Sequence, residues 1–134
     1  MSLAEQLTEY VRACFSAIWI ETHEQHEALA EIRDLSRREQ WSLASWNIAQ
    51  GLQVNGATTE SPNNSPQAAL RVASSLATPE GTTLLVLENF HRFLASPDII
   101  QALTQQILSG KQNRTIVVIL APLVQLPLEL DKLF

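Results

Sequence analysis

Two unbroken apolar runs, Leu84-Leu85-Val86-Leu87 and Ile116-Val117-Val118-Ile119-Leu120, constrain this chain more than any other feature. A strand that lacks polar alternation is buried on both faces, as central strands of parallel sheets are. Such a sheet needs helices on each side, and the chain supplies them in alternation. Leu3, Leu7, Tyr10, Val11 and Cys14 recur at helical spacing from Ser2 to about Phe15, with Ser2 and Glu5 spaced as a capping box. A β-branched run from Ala17 to Thr22 follows. Ala28, Leu29, Ile32 and Leu35 resume the helical stripe to about Arg38, with Thr22 and Gln25 spaced to cap it. Trp41 to Ile48 then alternates as a strand, with Ala44, Trp46 and Ile48 on one side and Leu43, Ser45 and Asn47 on the other.

Gly51, Asn55-Gly56 and the stretch Thr58 to Pro66 gather turn formers and predict a break with a flexible loop at about 55–65. Ser65-Pro66 and Ser96-Pro97 each read as an N-cap with proline at the first helical position. They open one helix through Leu70, Ala73, Leu76 and Ala77, and another through Ile100, Leu103 and Ile107 that is expected to stop at Gly110. Strands are predicted at Thr82 to Leu87 and Thr115 to Leu120, and a last short helix at Pro127 to Leu133. The expected fold is α/β: one domain over 1–134, with a mostly parallel sheet between two helical layers. No apolar stretch is long enough to cross a bilayer, so no membrane partner is expected.

Nine Lys and Arg against fourteen Asp and Glu leave a formal net charge of -5. Such a field repels polyanions, which predicts no nucleic-acid partner. The one cysteine, Cys14, permits no internal disulfide, and no leader precedes the first amphipathic segment, so the expected location is cytoplasmic.

Ligands of open α/β sheets sit beyond the carboxyl ends of the strands. A phosphate-cradling loop there needs glycines for close backbone approach and a lysine for the outer phosphates. No glycine occurs before Gly51, and the only lysines are Lys111 and Lys132. The turn after the first strand instead carries Glu21, Glu24 and Glu27, whose charges oppose a polyphosphate at a helix N-terminus. Leu84 to Asn89 has the outline of a Walker B element, an apolar strand ending in a carboxylate. Glu88 would take the magnesium, but Asn89 cannot act as a general base. The competing reading makes both residues mere caps of the strand. After the fourth strand stand only Ala121 and Pro122.

No catalytic residue emerges. Thr22, Glu88, Asn89 and Arg92 remain as a candidate nucleotide or anion site without a Walker lysine. His23, His26 and His91 are the candidate ligands of a metal-binding alternative. The first two are spaced i, i+3 rather than the i, i+4 of His-Glu-x-x-His zinc sites, and a solvated helix start accounts for them equally. Cys14 lies on an apolar helix face, where a thiol is inert. Trp19, Trp41 and Trp46 are expected to fill the core and the sheet edges.

Ile18-Trp19-Ile20-Glu21-Thr22-His23-Glu24, the stretch Leu84 to Leu94, the helix start Pro97-Asp98-Ile99-Ile100 and Thr115 to Asp131 stand in a telling order. Together they resemble the N-terminal domain of an AAA ATPase family first described as a hypothetical reading frame of algal plastids and widespread in cyanobacteria. The resemblance covers nearly the whole chain. It implies a degenerate P-loop NTPase-like (RecA-like) domain without Walker A, short of its last strand. A non-catalytic regulatory or protein-interaction role follows, with ATP and magnesium expected only for a separate AAA module. That module or other proteins would be its partners, and an oligomer is compatible with it. Family members often carry an aspartate near Glu88, so the glutamate weakens any carry-over of a metal-binding role.

Overall fold

The computed structural model describes residues 3–13, 15, 17–47, 51–54, 57–58, 70, 81–94 and 96–122. The chain alternates helix and strand: α1 (Leu3–Arg12), β1 (Ala17–Glu21), α2 (Gln25–Glu39), β2 (Ser42–Asn47), β3 (Gly51–Val54), β4 (Ala57–Thr58), β5 (Thr83–Glu88), a 3-10 turn (Phe90–Phe93), α3 (Pro97–Asn113) and β6 (Thr115–Ala121). The sheet runs β1-β6-β5-β2-β3-β4. Its first three pairings are parallel, and β3 and β4 extend it antiparallel. The α/β class and the helical layers expected from the two apolar runs are thus present.

Strand order fixes where each helix packs. β1 connects through α2 to β2 at the far side of the parallel set, whereas β5 connects through α3 back toward β1. Right-handed crossovers in opposite directions place the two helices on opposite faces. The core divides accordingly. Leu7, Val11, Ala28, Leu29, Ile32 and Leu35 of α1 and α2 pack on Leu84, Val86, Ile116, Val118 and Leu120. Leu103 and Ile107 of α3 pack on Leu85, Leu87, Val117 and Ile119. β5 and β6 are buried along their whole length, which is why their sequence shows no alternation.

Two expectations are corrected. The break after β2 is partly sheet: Gly51–Val54 pairs antiparallel with Ala44–Asn47, and Ala57–Thr58 pairs with Gln53–Val54. The sheet therefore continues past the turn signal of Gly51, while Asn55-Gly56 lies outside the described residues. The remainder of the predicted loop at 55–65 lies outside the described residues. Gly110 does not stop α3, which runs on to Asn113 and is capped by Arg114 in the left-handed region (φ 57, ψ 39), its N–H donating to the Gly110 carbonyl. Glycine is required there by packing: a Cβ at Gly110 would lie 2.1 Å from the Thr115 carbonyl oxygen.

Ser96 is the N-cap of α3 with Pro97 in its first turn, as expected, although no side-chain cap bond forms. Trp46 is fully buried in the α3-side core, edge-on to Phe90 and Phe93, while Trp19 and Trp41 pack partly buried against the two cores. Of the helix expected after Ser65-Pro66, only buried Leu70 is described. Ser2, Cys14 and the segment Pro127 to Leu133 lie outside the described residues. No helix among the described residues is long and apolar enough to cross a membrane.

Candidate functional site at the strand ends

The carboxyl ends of β1, β6, β5 and β2 lie side by side, and polar side chains bridge them. At the β2–β5 end, Asn47 Nδ2 donates to Glu88 Oε2 at 2.9 Å. Glu88 is buried, at 8% exposure, so its carboxylate is directed to a neighbouring strand. Parity explains the meeting. Leu84, Val86 and Glu88 point to the α1–α2 face, Leu43 shares that face with Asn47, and the parallel register Trp46↔Leu87 brings the next residues level.

At the other end, Gln25 Nε2 donates to Asn89 Oδ1 at 2.7 Å. Gln25 opens α2 after β1 and Asn89 follows β5, so the bond closes over the end of β6, which lies between them. Backbone bonds tie the same three exits: Thr22 N–H donates to the Ala121 carbonyl at 2.8 Å and Asn89 N–H to the Leu120 carbonyl at 2.8 Å. Asn89 adopts the left-handed region at φ 55, which asparagine tolerates better than most residues. The pairing corrects the expected capping box. The N-cap of α2 is Glu24, without a side-chain cap bond, and Gln25 reaches across the sheet instead. Thr22 Oγ1 accepts the Glu24 N–H at 3.1 Å, so the hydroxyl serves its own turn.

Of the expected site residues, Glu88 and Asn89 therefore face neighbouring strand ends, each already hydrogen-bonded. Arg92 is exposed in the 3-10 turn, its N–H donating to the Asn89 carbonyl at 3.3 Å. His23 and His26 are exposed at the α2 start, and the side chain of His91 lies outside what is described. No group of three metal-ligating side chains occurs among the described residues. Gln25 and Asn47 complete the row, and sequence reasoning did not select them. Their only signal was position, a side-chain amide at each strand exit.

The electrostatics of the α2 start are acidic. Glu27 shares a hydrogen bond with Glu24, and that bond and the like charges of Glu24 and Glu31 push its carboxyl above the ordinary 4.5. Anionic side chains in a first helical turn complement the macrodipole, but they occupy the place a phosphate would take.

Residues 3–134 match the family described as the N-terminal domain of SpoVK-like AAA ATPases. No curated protein sequence matches the chain. Among solved structures, a chain in the structure of Drosophila ORC bound to AT-rich DNA and Cdc6 is similar at a TM-score of 0.52 and 14% identity. That similarity covers 97% of this chain and 50% of the other, so the chain spans about half the length of that relative and shares its fold.

Proposed function

Because the chain belongs to the SpoVK-like AAA ATPase N-terminal domains, we propose that it is a non-catalytic regulatory or protein-interaction domain. ATP would be bound and hydrolysed by an AAA module outside these residues. The resemblance of its strand-end motifs to the cyanobacterial and plastid proteins supports placing it in that branch, with a degenerate P-loop.

The closure of the strand ends carries this reading. Gln25 and Asn89 bond to each other over the exit of β6, and the turn that leads into α2 offers Thr22, His23 and Glu24 in place of glycines and a lysine. These residues do not fit a magnesium–triphosphate group. The Glu88 carboxylate is engaged by Asn47, and glutamates stand where phosphate charge would gather. No reaction step is assigned to them. Contacts with protein partners would then fall on the exposed helix starts and the segment after β4.

Isothermal titration with ATP and magnesium tests the proposal. The expected result is no saturable heat and no phosphate release. Micromolar binding accompanied by turnover overturns it.

A further inference from the structure

The two strand-end bonds are consecutive along the backbone. Gln25 holds Asn89, Asn89 follows Glu88, and Glu88 holds Asn47. Asn47 in turn pairs with Gly51 as the antiparallel hairpin leaves β2. The row crosses the parallel sheet from the exit of β1 to β2, three strand spacings or about 14 Å. It links the acidic start of α2 with the edge strands β3 and β4.

At its centre stands Asn89. Asn89 sits in the left-handed region, which asparagine tolerates better than most residues yet still at a cost, so its surroundings help to hold it there. Those surroundings include the Gln25 amide on its side chain, the Leu120 carbonyl on its N–H and the Arg92 N–H on its carbonyl. Relaxation of Asn89 to an ordinary backbone conformation would rotate the Glu88–Asn89 peptide and draw the neighbouring carboxylate away from Asn47.

We propose that the Gln25–Asn89 bond is a latch that holds Glu88 on Asn47, coupling the α2 start to the β2–β3 hairpin. A protein that engages the Gln25 amide opens the latch and loosens the edge of the sheet. The device depends on these side chains alone and holds whether or not the chain binds nucleotide.

Amide hydrogen exchange on the whole chain tests it with three variants. Gln25→Ala removes the latch and leaves Asn89 unchanged. Asn89→Gly removes the same bond while keeping a residue at ease in the left-handed region, so folding is preserved. Gln25→Ala is expected to speed exchange of the β2–β3 ladder amides, Ser45 to Asn47 and Leu52 to Val54, at least tenfold, with α1 and α3 unchanged, whereas Asn89→Gly, which keeps the left-handed backbone without the bond, is expected to exchange like the parent. Gln25→Glu should restore protection, because the Asn89 amide can turn to donate to the new carboxylate. Faster exchange confined to residues 22–26 and 88–92, or an Asn89→Gly variant that exchanges as fast as Gln25→Ala, overturns the latch.

Discussion

Asn47 and Glu88, 41 residues apart in the chain, meet at 2.9 Å through an amide donor and a buried carboxylate. A buried acceptor costs most when its partner, or the acceptor itself, is deleted without replacement. Glu88→Ala leaves the Asn47 amide without this acceptor and should lower the unfolding free energy by about 2 kcal/mol in urea titration. Glu88→Gln retains an acceptor oxygen, and its loss should stay below about 1 kcal/mol. Equal losses would mean that the hydrogen bond contributes nothing beyond packing.

The Gln25–Asn89 bond gives a thermodynamic expectation separate from the exchange pattern. A double-mutant cycle with Gln25→Ala and Asn89→Ala should return a coupling of about 1 kcal/mol, typical of one partly buried neutral hydrogen bond. A coupling indistinguishable from zero would show the contact to be energetically silent.

At Gly110 two effects oppose each other. Alanine gains about 1 kcal/mol of helix propensity over glycine. Its Cβ, however, would meet the Thr115 carbonyl oxygen at 2.1 Å, and a backbone atom cannot step aside as a side-chain end can. Overpacking of that kind costs about 1 to 3 kcal/mol. Gly110→Ala should therefore lower the midpoint of thermal unfolding, while Ser109→Ala, at an exposed position of the same helix, should leave it nearly unchanged. A stabilised Gly110→Ala protein would contradict the close approach.

Glu27 sets a pH dependence of definite sign. Its hydrogen bond to Glu24 and the nearby like charges raise its carboxyl in the folded state above the ordinary 4.5, so the folded chain holds that proton more tightly than the unfolded one. The resulting stabilisation is fully present below the ordinary value and is lost as pH rises through the raised one. Glu24→Gln removes the paired charge. Its urea midpoint should exceed the parent's above this window, with the difference shrinking as the pH falls. A difference that grows toward acid would reverse the assigned sign.

The sheet was legible because its signals come from composition over short windows. β5 and β6 announce themselves by unbroken burial, and α2 by its stripe of Ala28, Leu29, Ile32 and Leu35. The hairpin was harder to read. Gly51 and Asn55-Gly56 indicate a turn equally well inside a sheet or beyond it, and only the pairing with β2 decides. Gly110 was misread for a similar reason, since a glycine near a helix end serves a cap or a close contact and local sequence does not distinguish them. In the site, Glu88 and Asn89 were visible from their place after an apolar strand. Gln25 and Asn47 were not, because each gains its role from a partner more than forty residues away.

β6 serves both cores. Ile116, Val118 and Leu120 face the α1–α2 side, and Val117, Ile119 and Ala121 face the α3 side. Exchanging one aliphatic for another in this strand disturbs a single layer. Inserting or deleting one residue moves every later side chain to the opposite layer, and β6 also sets the register of both β1 and β5. Variation in β6 is therefore confined to replacement of one apolar side chain by another, while length changes in this protein must fall elsewhere.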